Sequence, residues 1–497
     1  MLPRASGILL PIPCLPSRFG IGDLGPTAYR FADDLHAAGQ HVWQFLPVNP
    51  TTPTYQHSPY HATSAFAFNP LLVSPELLAA DGLLDAGDLQ PPALPEGRID
   101  YALVAGFKQR VLDEACRRFK RRLPDEGYTR FCVQNAAWLD DYVLFAALSH
   151  RYPDTTWNRW PPELRQRQPE TLNGLQTDLG SILEDLKIGQ YFFHRQWLEL
   201  RAHCQARGIR MFGDLPIYVP FHSADVWAHP HLFKLDEAGN LLAVSGVPPD
   251  YFSADGQLWG HPVYRWEAHR HDRYEWWVRR LAHNLALCDY VRIDHFRGLV
   301  AYWEIPAGES TAINGQWVAT PVRDFFGELR RRLVCLPLIA EDLGHITADV
   351  RETMQRHGFP GMRVLLFGFT GEPDANDNAV FNVSENCVVF TGTHDNNTVK
   401  GWFENEASDL EKHRLAITLG HEPTPAALPW DLVRLAMMSP ARLCILPVQD
   451  LLALGREARI NSPGRWENNW LWRITAEQLA ALPVKPLLEM TETFGRT

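Results

Sequence analysis

Short apolar segments of strand length recur eight times along this chain of 497 residues, and they constrain its fold more than any other feature. Stretches with helical apolar spacing, such as TAYRFADDLHAAG and YEWWVRRLAHNLAL, lie between some of them. Strands that alternate with helices are typical of parallel sheets, and eight of them favour an α/β fold of the (β/α)8, or TIM, barrel type. The eight segments are residues 7–13, 41–48, 209–219, 288–294, 337–344, 362–369, 387–395 and 443–450.

Two long intervals between these segments predict insertions in one catalytic barrel that spans residues 1–497. The first, residues 50–205 between strands two and three, contains YALVAGFKQRVLDEACRRFKRRL and LDDYVLFAALSHRY, whose periodicity is helical. We therefore expect a mostly helical insertion there. The second interval, residues 215–288, lies between strands three and four.

Charge and cysteine content narrow the possible partners and compartment. Nucleic acids and anionic membranes bind positively charged protein surfaces. The net charge of this chain is −11, so we expect neither as a partner. No apolar run approaches the roughly 18 residues of a membrane span, and the first twenty residues lack the features of a signal peptide. The eight cysteines form no C-x-x-C pair, which indicates free thiols in a reducing compartment, and we predict a cytoplasmic protein.

Four acidic residues, Asp214, Asp294, Glu341 and Asp395, follow apolar runs at their C-terminal ends. In a (β/α)8 barrel those ends converge on the face that carries active sites. The alternative is that each acid caps the helix that follows its strand, which is common for one acid but less so for four. The sequence therefore predicts a cluster of carboxylates at one end of the barrel.

Such a cluster suits the cleavage of glycosidic bonds. In that reaction one carboxylate attacks the anomeric carbon, and a second, protonated carboxyl donates its proton to the leaving oxygen. Arg292 lies two residues before Asp294, on the same side of a strand, where its charge favours the ionised form. A purely structural ion pair would look the same in sequence. Glu341 follows an apolar stretch that could keep it protonated, and Asp395 stands beside His394.

The aromatic content supports a sugar ligand. Many of the 17 tryptophans lie in polar, loop-like segments such as GQLWGHP, NGQWV and ENNWLWR. Any one of them could anchor a loop to the core. Several together suggest flat apolar surfaces on which sugar rings pack while their hydroxyls bind neighbouring polar groups.

Two other motifs are weaker. Gly20, Gly22 and Gly25 match G-x-G-x-x-G, but a proline-containing segment separates them from the preceding strand, which argues against a dinucleotide site. The histidine pairs in AHPHLF and AHRHDRY have no visible further ligands, and no dense acidic loop suggests calcium. We expect no metal and no cofactor.

The chain resembles the amylomaltases, the 4-α-glucanotransferases related to the α-amylase clan. The matching stretches include FGIGDLG, GDLPIYV, GVPPDYFSADGQLWG, RIDHFRG, YWEIPA, AEDLG, PGMRVL, TGTHDN, QDLLALG and NNWLWR, so the resemblance covers essentially the whole chain. It implies a TIM barrel of the compact form that lacks extra N-terminal domains. It also implies that the second insertion, residues 215–288, carries an active-site loop.

Catalytic roles follow from the resemblance. It implies that Asp294 is the nucleophile, Glu341 the general acid/base and Asp395 the stabiliser of the transition state. Asp214, Arg292 and His394 are implied as supporting residues of the active site.

The resemblance further implies four contacts with glucan. Tyr60, in SPY, would stack on a donor sugar. Gln257 and Trp259 would face the glucan from the flexible loop GVPPDYFSADGQLWG, and Asn469 would hydrogen-bond sugar hydroxyls.

The implied activity is the transfer of α-1,4-glucan segments to glucose or maltooligosaccharide acceptors with retention at the anomeric carbon. A hydrolase would use the same carboxylates with water as the acceptor. A catalytically silent glucan-binding scaffold would keep the tryptophans but not the acids, and this chain has both.

Overall fold

The computed structural model describes residues 2–249, 253–465 and 467–497. Its strands are β1 Ala5–Leu9, β2 Val42–Gln44, β3 Arg210–Leu215, β4 Ala243–Val247, β5 Gln257–Pro262, β6 Tyr290–Ile293, β7 Ala301–Pro306, β8 Gln316–Ala319, β9 Leu338–Ala340, β10 Gly361–Val364, β11 Cys387–Phe390 and β12 Leu443–Pro447. Eight of them form one parallel sheet in the order β10-β11-β12-β1-β2-β3-β6-β9. Each of the eight predicted segments overlaps one of these strands, and the predicted TIM barrel is confirmed.

The barrel closes between β9 and β10, the two end strands of the sheet, through hydrogen bonds of residues next to them. The backbone nitrogen of Ala340 donates to the oxygen of Pro360 at 2.9 Å. Just beyond β9, the carboxylate of Asp342 accepts from the nitrogen of Met362 at 2.6 Å and from Nη1 of Arg363 at 2.9 Å. A side chain on Gly361 would overlap this carboxylate, because a Cβ there would lie 2.4 Å from Oδ2. The seam is thus closed by a side chain adjacent to Glu341.

Helices surround the sheet and fill the insertions. They are α1 Pro26–Ala37, α2 Pro75–Ala80, α3 Tyr101–Lys120, α4 Glu126–Arg151, α5 Pro162–Arg165, α6 Pro169–Asp178, α7 Gly180–Ala206, α8 Ala224–Ala228, α9 Trp266–His271, α10 Glu275–Leu287, α11 Val322–Arg332, α12 Ala348–His357, α13 Val399–Asn405, α14 Asp409–Leu419, α15 Leu428–Met438, α16 Val448–Leu451, α17 Ala476–Ala480 and α18 Val484–Thr493. None of the helices within the described ranges is both long and apolar enough to cross a membrane.

The two insertions differ in structure. Helices α2 to α7 lie between β2 and β3, whereas β4, β5 and α8 to α10 lie between β3 and β6. A second, antiparallel sheet joins β4 and β5 to β7 and β8 in the order β5-β4-β7-β8. None of the eight predicted segments covers this second sheet. Its strands are short, and β8 pairs with β7, which pairs with β4, so they depend on one another rather than on a continuous apolar run. The boundaries of both insertions stay predictions.

The chain ends meet at the N-terminal end of the barrel strands. The guanidinium of Arg496 is buried and donates to five backbone carbonyls, those of Ala5, Ala436, Met437, Ser439 and Arg442. Because buried carbonyls need partners, this one side chain ties the C-terminus to β1 and to the end of α15.

Candidate active site

The site lies at the C-terminal ends of β3, β6, β9 and β11. Asp214 and Arg292 are register partners on the neighbouring strands β3 and β6, so their side chains leave the sheet on the same side. Asp294 follows the last residue of β6, and Glu341 follows the last residue of β9. The structure therefore places Asp214, Arg292, Asp294 and Glu341 together.

Arg292 links two carboxylates. Its Nη1 donates to both oxygens of Asp214, at 2.9 and 2.7 Å, and its Nη2 lies 3.0 Å from Oδ1 of Asp294. The side chains of Asp214 and Arg292 are 0% and 4% exposed, whereas that of Asp294 is 29% exposed. The buried ion pair thus supports a carboxylate that remains open to a ligand.

Glu341 is held by two backbone N–H groups. The nitrogen of His295 donates to Oε2 at 2.7 Å, and that of Leu343 donates to Oε1 at 3.1 Å. His295 adopts the left-handed conformation, with φ of 49°, which is uncommon for a residue with a side chain. This strained turn immediately after Asp294 directs the N–H group at Glu341.

Burial governs the protonation of both carboxyls. It raises the pKa of Asp294, with Arg292 opposing the rise and the carboxylates of Asp214, Glu341 and Asp395 adding to it. Burial also raises the pKa of Glu341, against the effect of Arg292 and of the two backbone N–H groups. Simultaneous ionisation of Asp294 and Glu341 would place two negative charges in one buried site. The pair can therefore hold one proton between them near neutral pH.

A hydrogen-bonded row leads from Asp214 to the far side of the site. The hydroxyl of Tyr60 donates to Oδ2 of Asp214 at 2.7 Å and lies 2.8 Å from Nε2 of His394. Because the hydroxyl hydrogen of Tyr60 is used in the bond to Asp214, the Tyr60 oxygen accepts from His394. Nε2 of His394 therefore carries the ring hydrogen. Burial lowers the pKa of His394, which favours this neutral form.

Asp395 stands at the end of this row and is 39% exposed. Its Oδ1 lies 3.4 Å from Nε2 of His394 and accepts from Nδ2 of Asn461 at 2.6 Å. Three of the predicted residues, Tyr60, His394 and Asp395, are therefore in one connected group with Asp214.

Aromatic rings form two walls. Tyr60 stacks on His394 with ring centroids 5.3 Å apart, and Trp470 packs beside both rings. On the other side, Trp259 meets the ring of His295 edge-on at 4.7 Å. Each wall contains a residue that binds a carboxylate, Tyr60 to Asp214 and His295 to Glu341, and aromatic rings beside carboxylates are the combination that sugar ligands use.

The predicted loop residues lie on β5. Gln257 is exposed and its Oε1 accepts from Nε1 of Trp259 at 3.1 Å. The segment GVPPDYFSADGQLWG runs from β4 to β5, and its residues 250–252 lie outside the described residues.

Asn469 is buried, and its amide is occupied by the backbone. Oδ1 accepts from the nitrogen of Ser462 at 2.9 Å, and Nδ2 donates to the oxygen of Arg465 at 2.7 Å. In this arrangement Asn469 shapes the turn at residues 462–465, and a contact with sugar hydroxyls stays a prediction. A cavity of about 950 Å³ lies beside that turn.

Sequence reasoning missed three residues of this site. Arg459 and Asn461 contact Asp395, and Trp470 packs on Tyr60 and His394. Trp470 was visible as one of the loop tryptophans, but nothing in the segment RINSPG distinguished Asn461 from an ordinary turn residue.

Histidine and acidic residues do not converge on a metal-like arrangement in the parts of the chain that the structure describes. The paired His229 and His231 rings lie edge to face with centroids 6.2 Å apart. His269 is buried among aromatic rings, including those of Tyr264 and Trp266.

Comparison with known proteins gives matches along the whole chain. The family model described as 4-alpha-glucanotransferase matches residues 10–479. A 4-alpha-glucanotransferase of Thermus thermophilus is 44% identical over 509 residues, which cover 100% of this chain and 99% of the relative. A protein with the same name from Synechocystis sp. is 43% identical over 500 residues, covering 99% of this chain and 98% of its own length.

Solved structures agree with this similarity. The amylomaltase from Streptococcus agalactiae, in complex with acarbose, superposes with a TM-score of 0.93 at 35% identity and covers 99% of both chains. The amylomaltase from Corynebacterium glutamicum gives a TM-score of 0.77 at 18% identity, covering 99% of this chain and 75% of that one. At that identity the second match shows a shared fold alone.

Proposed function

The chain belongs to the 4-α-glucanotransferase family, and from this premise we propose that it transfers α-1,4-glucan segments by a retaining double displacement through Asp294. The donors are maltooligosaccharides and longer α-1,4-glucans, and the acceptors are glucose or maltooligosaccharides. The observation that carries the proposal is the placement of Asp294 between Arg292 and the backbone turn that holds Glu341.

In the first step, an oxygen of Asp294 attacks the anomeric carbon of the donor. The bond to the 4-oxygen of the departing glucan breaks, and Glu341 gives that oxygen a proton. The product is a β-linked glycosyl ester on Asp294 and a released glucan with a free 4-hydroxyl.

The single proton of the two carboxyls belongs on Glu341 in this scheme. The ion pairs of Arg292 in the described part of the chain are with Asp214 and Asp294, so the arginine favours ionised Asp294. A protonated Glu341 can still accept the two backbone N–H groups, because each of its oxygens keeps a lone pair.

In the second step, the 4-hydroxyl of an acceptor sugar attacks the anomeric carbon of the glycosyl ester. Glu341 takes the hydroxyl proton, the bond to Asp294 breaks, and a new α-1,4 bond forms. Asp395 stabilises the positive charge that develops at the anomeric carbon in both steps. Tyr60, Gln257, Trp259 and Asn469 contribute to the glucan-binding surface, and acarbose, the ligand of the Streptococcus relative, is expected to bind there.

Incubation with maltotriose alone tests the proposal. Transfer predicts glucose plus a ladder of longer maltooligosaccharides, while the total number of reducing ends stays constant. A hydrolase with the same carboxylates would give shorter products and a rising number of reducing ends, and that result would overturn the assignment of the acceptor.

A further inference from the structure

We infer that Asn461 is a positioning residue that orients the carboxylate of Asp395 for transition-state stabilisation. The inference rests on the proposed function, in which Asp395 faces the reacting sugar. Nδ2 of Asn461 donates to Oδ1 of Asp395 at 2.6 Å, across 66 residues of sequence. A short bond between an amide donor and a carboxylate restrains the rotation of that carboxylate.

Asn461 is itself fixed to the same segment of chain. Its backbone nitrogen donates to the oxygen of His394 at 3.2 Å, one residue before Asp395. The backbone and side chain of Asn461 therefore both bind the His394–Asp395 pair. Movement of Asn461 relative to Asp395 would have to break two hydrogen bonds.

Arg459 binds the backbone of both Asn461 and Asp395. Its Nε donates to the oxygen of Asn461 at 2.8 Å, and its Nη2 donates to the oxygen of Asp395 at 3.1 Å. Its Nη1 pairs at 2.9 Å with Oε1 of Glu406, an atom that also accepts from Nδ2 of Asn397 at 2.8 Å. These five residues, Asn397, Glu406, Arg459, Asn461 and Asp395, form the positioning network.

The network leaves one carboxylate oxygen for the substrate. Within the described residues, the contacts of the Asp395 carboxylate both involve Oδ1, which accepts from Asn461 and lies 3.4 Å from Nε2 of the neutral His394. Oδ2 is then available to hydroxyls of the reacting sugar. Because both partners hold Oδ1, the position of Oδ2 is determined before substrate arrives, which is the preorganisation that electrostatic catalysis needs.

Two substitutions at residue 461 separate positioning from packing. Asn461→Ala removes the donor, and we expect kcat for maltotriose to fall about 10- to 100-fold with little change in KM. Asn461→Asp keeps the size of the side chain but places a second carboxylate against Asp395, and we expect at least as large a loss. A packing role predicts the opposite order, with the aspartate variant close to the wild type.

A double-mutant cycle with Asp395→Asn tests whether the effect passes through Asp395. If Asn461 acts through that carboxylate, Asp395→Asn combined with Asn461→Ala is no slower than Asp395→Asn alone. Losses that multiply would overturn the inference, and so would an unchanged kcat in Asn461→Ala. Asn284→Ala is the matched control, since its amide donates within α10 to the oxygen of Arg280.

The cycle also separates this inference from the proposed function. Normal activity in Asp395→Asn would contradict the role of Asp395 itself, whereas a slow Asp395→Asn with a normal Asn461→Ala would contradict the positioning role alone. Circular dichroism and thermal unfolding verify the fold of each variant. Asn461→Ser replaces the alanine variant if that variant does not fold.

Discussion

The backbone nitrogen of His295 donates a 2.7 Å hydrogen bond to Oε2 of Glu341. This contact joins the residue after the proposed nucleophile to the proposed acid/base, so the two carboxyls are spaced by backbone rather than by flexible side chains. The left-handed conformation of His295 produces the contact, and the surrounding barrel must compensate its strain. The reactivity of the pair therefore depends on the turn as well as on its carboxylates.

Glu341→Gln is expected to reduce transfer from maltotriose by roughly 10²- to 10⁴-fold, because the leaving oxygen loses its proton donor. An α-maltosyl fluoride donor needs no such proton, so the first step with this donor should be much less impaired, although the second step still lacks its base. Azide needs no base to attack the ester, and with the fluoride donor we expect it to accelerate turnover and give an α-glycosyl azide. Failure of azide to form this product would contradict the acid/base role of Glu341.

Asp214→Asn is expected to move the acidic limb of kcat/KM to lower pH. Burial raises the pKa of Asp294, and the charge of Asp214 adds to that rise, so its removal should lower the pKa. Asp294 would then remain ionised in more acidic solution, with Arg292, Glu341, Asp395 and Tyr60 still around it. A limb that stays in place or moves to higher pH would contradict this account.

The same variant should be less stable, because the buried guanidinium of Arg292 loses a carboxylate that binds it through both oxygens. Thermal unfolding measures this loss. Asp409→Asn, in the exposed first turn of α14, is the control for the substitution itself and should change neither the pH profile nor the midpoint.

Trp259→Ala is expected to lower kcat/KM about 10-fold for longer maltooligosaccharides and less for maltotriose, while the unfolding midpoint changes little. The reason is the position of the ring on β5, edge-on to His295, whose backbone N–H binds Glu341. Trp317→Ala, on β8 at the opposite edge of the same sheet, is the matched control. Unchanged kinetics across all chain lengths in Trp259→Ala would remove this residue from the glucan-binding surface.

Arg496→Met is expected to lower the free energy of unfolding by about 2–4 kcal/mol without changing kcat of the remaining folded enzyme. The substitution leaves buried carbonyls of Ala5, Ala436, Met437 and Ser439 without this donor. Lys485→Met makes the same type of change at an exposed position of α18 and should be nearly neutral. Equal midpoints for the two variants would show that Arg496 does not anchor the chain end.

The barrel strands were predictable because burial on both faces leaves a continuous apolar run. The strand β12, with the sequence LCILP, is buried at every position. The strands β7 and β8 carry no such run, since they lie in a partly exposed sheet in which β7 pairs with β4 and β8 pairs with β7, and they were missed for that reason.

In the site, too, contacts between residues close in sequence could be predicted, whereas contacts between distant residues could not. The pairing of Arg292 with Asp294 could be predicted because residues two apart in a strand share a face. The contact of Arg292 Nη1 with both oxygens of Asp214 depends on the pairing register of β3 and β6, which cannot be derived from the sequence. The contact of Asn461 with Asp395 depends on the fold of a turn after β12, and no residue pattern predicts it.

The most direct test of the central claim is mass spectrometry of the Glu341→Gln variant after reaction with maltosyl fluoride. The first step remains possible, but the attack on the ester lacks its base, so a glycosyl enzyme should accumulate. We expect a mass increase of one maltosyl group, located on the peptide that contains Asp294 and absent when Asp294→Asn is added. An adduct on another residue, or an anomerically inverted product without any adduct, would contradict a double displacement through Asp294.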